Sequence, residues 1–205
     1  MIRPPWDGVA FSEADDGDLR GDLGARHRLS DRLGLDDAWA SVRQVHGRDV
    51  VAVDSPGDAG PADAIWTTRR GLPISVFTAD CLGVVLSAPG AVGVAHSGWR
   101  GAAAGVVTAL RESMTDAGHE PELAAIGPAI GPCCFEVGPE VIERFETSTQ
   151  TTWGTASVDL NEAVLRELPG IEVWMSGACT FHEPGWFSHR KDATAHRLVT
   201  LGWLR

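Results

Sequence analysis

The chain has 205 residues, a formal charge of −11, 43% hydrophobic and 22% charged residues. That length suits one domain with a sizeable core, and that hydrophobic content excludes general disorder. A surface this acidic, with no basic run longer than Arg69-Arg70, repels nucleic acid and anionic membranes.

No run approaches the roughly 20 apolar residues needed to cross a bilayer. Met1 to Gly8 lacks the apolar core of a signal peptide. A cytoplasmic setting is therefore expected, with Cys81, Cys133, Cys134 and Cys179 as free thiols. A monomer or weak homodimer is expected.

Along the chain, Val9-Ala10-Phe11 reads as an edge strand and His27 to Leu35 as a short helix. Trp39 to Val45 and Val50 to Val53 flank His46-Gly47-Arg48-Asp49, which predicts a hairpin or tight loop carrying His46. Asp54 to Pro61 is rich in turn residues. Three short apolar runs follow, Pro73 to Phe77, Leu82 to Ser87 and Ala91 to Ala95, the last two joined by a hairpin signal at Ala88-Pro89-Gly90.

Gly101 to Ala117 predicts one helix with Val106, Val107, Leu110 and Met114 inward. Leu123 to Ile126 reads as a strand, and 127–134 as a rigid Gly-Pro loop. Pro139 to Phe145 and Asp159 to Leu168 read as helices, the second capped by Asp159 with Glu162 as a capping-box partner. Thr147 to Thr155 is a surface loop, and Ile171 to Met175 a strand. The fold class is α+β, a mixed α/β layered fold, with residues 1–205 as a single catalytic domain.

The chemistry concentrates in Ala95-His96-Ser97-Gly98-Trp99-Arg100-Gly101, Arg43-Gln44-Val45-His46-Gly47 and Thr78-Ala79-Asp80-Cys81. The first places a histidine at a strand end, then glycines and an arginine at a helix mouth, a corner suited to an anion. Ser97 lacks the flanks of a nucleophile elbow, G-x-S-x-G. Two imidazoles and a thiol could bind a metal with one open position, or Cys81 could be a thiolate nucleophile with His96 or His46 as its base. Cys133-Cys134 could be packing, a second thiol source or part of the site wall. Glu136 is a candidate acid or base. His182, His189 and His196 lie in a tail expected near the pocket rim, contributing Arg190 or Arg197.

These motifs, with Gly127-Pro128-Ala129-Ile130-Gly131-Pro132-Cys133-Cys134-Phe135-Glu136-Val137-Gly138, resemble the multicopper polyphenol oxidoreductase (laccase) family, also described as purine nucleoside phosphorylases and linked to peptidoglycan editing. The resemblance covers nearly the whole chain. It implies a layered fold with mixed β-sheets flanked by helices, similar to cysteine hydrolases. It further implies Zn2+ held by His46, Cys81 and His96, and zinc-dependent phosphorolysis of adenosine, inosine, guanosine and methylthioadenosine, with adenosine deamination. The partners would be purine nucleosides and inorganic phosphate. Asp80, Arg43 and Glu136 would be catalytic, and Ser97, Arg100 and Arg190 would bind ligand. The alternatives are a cysteine-dependent hydrolase or amidase acting on a peptidoglycan precursor, and a laccase-like oxidoreductase. The tail departs from the family pattern at His189-Arg190-Lys191-Asp192-Ala193, and no tyrosine exists in the chain. Multicopper chemistry needs a mononuclear copper and an imidazole-rich trinuclear cluster, which seven histidines with no H-x-H pair do not supply.

Overall fold

A computed structural model describes residues 1–205. Its strands are β1 (Val9–Phe11), β2 (Ala40–Arg43), β3 (Val50–Ala52), β4 (Gly57–Pro61), β5 (Ala64–Thr67), β6 (Ile74–Thr78), β7 (Leu82–Ala88), β8 (Ala91–Ser97), β9 (Leu123–Ile126), β10 (Thr149–Gln150), β11 (Ala156–Ser157), β12 (Glu172–Met175) and β13 (Leu198–Gly202). The helices are α1 (Leu23–Leu33), α2 (Trp99–Ala104), α3 (Val106–Asp116), α4 (Pro139–Ile142), α5 (Leu160–Arg166) and α6 (His189–Asp192).

Two mixed sheets stack. One has five strands in the order β1-β13-β6-β2-β4, the other six in the order β12-β9-β7-β8-β5-β3. Between them lies a cluster with Ile74 and Val76 from the first sheet and Val85, Val92 and Val94 from the second. Helix α1 covers the outer face of the five-stranded sheet through Leu29 and Leu33. Helices α2, α3 and α5 cover the other sheet through Ala102, Val106, Leu110, Met114 and Val164. This is a layered α/β fold with helices outside two sheets. The sheets approach closely at Gly83, where an added Cβ would meet Thr200 Oγ1 at 1.9 Å.

The β7–β8 hairpin forms as its turn residues predict, pairing Leu82 with Ser97 and Gly83 with His96. Helix α5 is capped by Asp159, whose carboxylate accepts from the Asn161 and Glu162 N–H groups. Four local expectations need correction. Helix α1 starts at Leu23, because Asp22 accepts from the Gly24 and Ala25 N–H groups and fixes the start early. Of the hairpin or tight loop expected at His46, the loop forms and the hairpin does not, since β2 joins the five-stranded sheet and β3 the six-stranded one. The turn-rich stretch after Asp54 contains β4, paired parallel to β2. The long helix after His96 is two, because Gly105 adopts a left-handed φ of 75° and ends α2 before α3 begins.

Candidate active site

Period-two alternation along β8 decides where His96 points. Val92 and Val94 face the inter-sheet core, while Ala91 and Ala95 face the helices. His96 therefore emerges on the inter-sheet side at the strand's end, 3% exposed. Cys81 stands just before Leu82, across the hairpin from Gly98. A Cβ on Gly98 would meet Cys81 Sγ at 3.0 Å and His46 Cδ2 at 3.3 Å, so the thiol occupies space that only glycine leaves open.

His46 arrives from the β2–β3 loop with φ at 60°, and Asp80 has φ at 88°. Two non-glycine residues in the left-handed region beside one thiol mark stored backbone strain at a functional position. Asp63 holds the His46 loop. Its carboxylate accepts from the N–H groups of Val45 (3.2 Å), His46 (3.0 Å) and Gly47 (2.6 Å). It also contacts His96 Nδ1 at 2.8 Å with no side-chain exposure. His46 and His96 meet edge to face, centroids 4.8 Å apart.

The electrostatics follow from these contacts. Burial opposes charge on Asp63, but His96 and the Gly47 and Val45 N–H groups outweigh it and hold its carboxyl below the usual range. Burial also opposes a thiolate at Cys81, yet hydrogen bonds from His46 and His96 bring the thiol down to about 6. Burial works against an imidazolium at His96, yet Asp63 and Cys81 raise it to about 9. Near neutrality the group is a thiolate–imidazolium pair steadied by a buried carboxylate.

Two cavities meet at the thiol, of about 200 Å³ and about 240 Å³, and both are lined by His46, Ala79, Cys81 and His189. The first also has Asp80, Arg100, Arg190 and Phe135; the second has Arg20, Gln44, His96 and Arg197. Arginine on both sides makes the opening locally cationic despite the acidic chain.

The structure thus brings His46, Cys81, His96, Asp80, Arg100 and Arg190 together, and leaves out three expected residues. Arg43 is exposed and pairs with Asp58 at 3.2 Å, lining neither cavity. Glu136 is exposed outside both and accepts from Trp153 Nε1 at 3.0 Å. Ser97 is fully buried with no partner for its Oγ, on the helix side of β8, so it presents no hydroxyl to a ligand. Asp80 lines the cavity with both carboxylate oxygens engaged, by Thr180 Oγ1 and the Arg190 N–H, each at 2.7 Å. It anchors the tail beside the thiol. Arg190 stacks over Phe135, 5.3 Å from the ring centroid, and donates to the Glu136 carbonyl at 2.7 Å. Arg100 lies over the Trp99 ring at 4.2 Å.

Sequence reasoning missed Asp63. The available signal was a lone carboxylate at the start of a buried run, Asp63-Ala64-Ile65-Trp66, since an unpartnered buried carboxylate is costly. It also missed that Cys133, Cys134, Cys179 and His182 gather with their donor atoms within 4.8 Å. His46, Cys81 and His96 form the other such group. Either could hold a metal ion, and mixed thiol and imidazole donors do not specify which. Multicopper chemistry does not fit, because the two groups hold only three of the seven histidines.

These observations correct the expected zinc-dependent purine nucleoside phosphorylase with adenosine deaminase activity. The chain instead concentrates thiols: one activated by two imidazoles and a carboxylate, and three in a second cluster that such a reaction does not use. Both oxygens of Asp80 are held by Thr180 and Arg190, Glu136 lies outside both cavities, and Arg43 lines neither and pairs with Asp58. The arrangement is cysteine-based. No helix is long and apolar enough to cross a membrane.

Known proteins agree on the family. A purine nucleoside phosphorylase of Streptomyces griseus is 40% identical over 97% of this chain and 91% of its own length. One from Pseudomonas aeruginosa is 33% identical over all of this chain and 89% of its own. The crystal structure of YlmD from Geobacillus stearothermophilus matches with a TM-score of 0.83 at 29% identity, over 99% of this chain and 94% of that one. The hypothetical protein YfiH of Bacillus licheniformis matches at 0.80 and 25% identity, over 89% and 80%. Relatives of this kind and the activated thiol support an enzymatic function. The model of the family described as multi-copper polyphenol oxidoreductase laccase matches residues 4–205, and the chain belongs to that family.

Proposed function

We propose that the protein is a cysteine-dependent hydrolase that cleaves an acyl bond, with Cys81 as nucleophile, His96 as acid and base, and Asp63 as the group that orients His96. One observation carries this reading: the buried contact of Asp63 with His96 Nδ1 at 2.8 Å leaves Nε2 as the ring nitrogen for the thiol. Cys81 Sγ attacks the carbonyl carbon and forms a thioester. The leaving amine or alcohol departs with the proton that His96 donates. His96 then removes a proton from water, whose oxygen attacks the thioester; the carboxylic acid departs, and the Cys81 thiolate and His96 imidazolium are restored. His46 helps hold the thiolate charge before attack.

The substrate class is a small nucleoside-type molecule bearing an acyl bond, for which the names of the relatives give the nucleoside portion. A nucleotide-linked peptidoglycan precursor has both features, and its anionic groups suit the arginines at both cavities. Arg100 and Arg190 would bind that charge.

The test uses p-nitrophenyl acetate as a generic acyl donor, with and without a chelator. A burst of nitrophenolate and one acetyl group on Cys81 by mass spectrometry are expected, unchanged by chelation and abolished by prior alkylation. Activity lost on chelation and restored by metal, with no acyl-enzyme, overturns the reading.

A further inference from the structure

The 127–138 loop and the 176–183 segment meet beside the active site, at three thiols and one imidazole. We propose that Cys133, Cys134, Cys179 and His182 form a structural site for one thiophilic divalent metal ion, held tetrahedrally, which clamps these two segments together. The chemistry at Cys81 plays no part in this.

The spacing carries the argument. A tetrahedral ion with metal–sulfur bonds of about 2.3 Å and metal–nitrogen bonds of about 2.0 Å requires sulfur–sulfur edges of about 3.8 Å and sulfur–nitrogen edges of about 3.5 Å. Cys133 Sγ lies 3.7 Å from Cys179 Sγ, and His182 Nδ1 lies 3.5 Å from Cys133 Sγ and 3.4 Å from Cys134 Sγ. All four donor atoms fall within 4.8 Å of one another, though the chain separates the pair from His182 by 48 residues or more. The free cysteines carry no competing disulfide.

The surroundings steady the same donors. The Gly131 N–H donates to Cys179 Sγ at 3.2 Å. Glu183 accepts from the Cys179 N–H at 2.7 Å and lies 3.9 Å from His182 Nε2, on the ring side away from the thiols. Carboxylates and N–H groups behind ligands are how proteins orient a metal site. Cys134 and Cys179 are buried, while exposed His182 gives an ion access from solvent. Four protein donors leave no open position, which makes the site structural. The clamp would reach the active site through Thr180, next to Cys179 and bonded to Asp80, and through Phe135, next to Cys134 and lining the cavity.

Co2+ titration of the reduced, full-length protein tests the proposal in wild type and in Cys81→Ala, His182→Ala and Cys133→Ser/Cys179→Ser variants. Cys81→Ala is expected to bind one Co2+ with tetrahedral d–d absorption and intense thiolate-to-cobalt bands. His182→Ala should weaken that binding by about tenfold or more, and the double serine variant should lose the bands. Should the serine variant not fold, His182→Ala, altered at an exposed position, decides alone. Absence of tetrahedral Co2+ in Cys81→Ala, or unchanged bands in His182→Ala, overturns the site. So does a reduced protein that takes up no Co2+ but joins Cys133 to Cys179 under mild oxidation.

Discussion

Cys81 and Cys134 each lie beside an imidazole, yet their proton affinities diverge. Cys81 is brought down to about 6, and Cys134 is pushed up to about 12. The imidazole alone does not explain this. His96 is buried against the Asp63 carboxylate, which favours its cationic form, and His46 adds a second hydrogen bond to the thiol. Around Cys134, burial opposes the thiolate, and Cys133 and Cys179 add thiols rather than cations. Asp63 is buried and 2.8 Å from buried His96, whereas Glu183 is partly exposed and 3.9 Å from exposed His182, so the activated cysteine is the one whose histidine has a buried carboxylate in direct contact.

The largest effect expected is from removing the nucleophile. Cys81→Ser should lower acyl hydrolysis by about 10³-fold or more, whereas Cys134→Ser should retain most of the rate if the two regions differ as described. Steady-state kinetics on both variants reads the contrast directly.

Asp63→Asn comes next, with an expected loss of about 10³-fold in kcat, because the amide favours the wrong tautomer of His96. Its diagnostic is the pH dependence. In the wild type the thiolate forms as pH rises through about 6, and the imidazolium is lost as pH rises through about 9. The rate should therefore be bell-shaped between those values. Iodoacetamide should label Cys81 at neutral pH well ahead of Cys134, which is buried. In Asp63→Asn the alkaline limb should move to lower pH, since the carboxylate no longer holds the imidazolium; an unmoved limb would separate Asp63 from the chemistry.

A smaller effect tests the fit of the thiol. Gly98→Ala places a methyl group 3.0 Å from Cys81 Sγ at a position whose φ of −74° any residue tolerates. Misplacement of the sulfur should cost roughly 10- to 100-fold in kcat, with stability reduced by only about 1 kcal/mol from the altered helix N-cap. Thermal melting and kinetics together distinguish this from general unfolding.

The smallest expected change is at the rim. Arg190→Ala should raise KM for an anionic substrate roughly tenfold, the loss of about one charge-assisted hydrogen bond of ~1.5 kcal/mol, with kcat little altered. A neutral acyl ester should show no such change. Equal loss on both substrates would mean that Arg190 acts through packing on Phe135.

Much of this protein is determined by local sequence alone. Turn residues at Pro89-Gly90 set the β7–β8 hairpin, and the period-two pattern of β8 sets the side on which His96 emerges. Asp159 sets the start of α5. The motifs around His46, Cys81 and His96 are legible because each stands where an apolar run begins or ends, with a glycine within two residues. These signals act over a few residues, where backbone sterics and hydrogen bonding decide the outcome.

Tertiary structure decided the remainder, because its partners are distant in the chain. Asp63 meets His96 across 33 residues, Asp80 meets Thr180 across 100, and Cys134 meets His182 across 48. Whether β2 and β3 pair or join separate sheets depends on which partner buries them, not on the loop that links them. A carboxylate, a thiol or an imidazole carries no mark in sequence of the neighbour that will set its charge. Only the stacking of the two sheets, which removes these groups from water and places them within hydrogen-bonding reach, turns Cys81 into a nucleophile and Asp80 into an anchor.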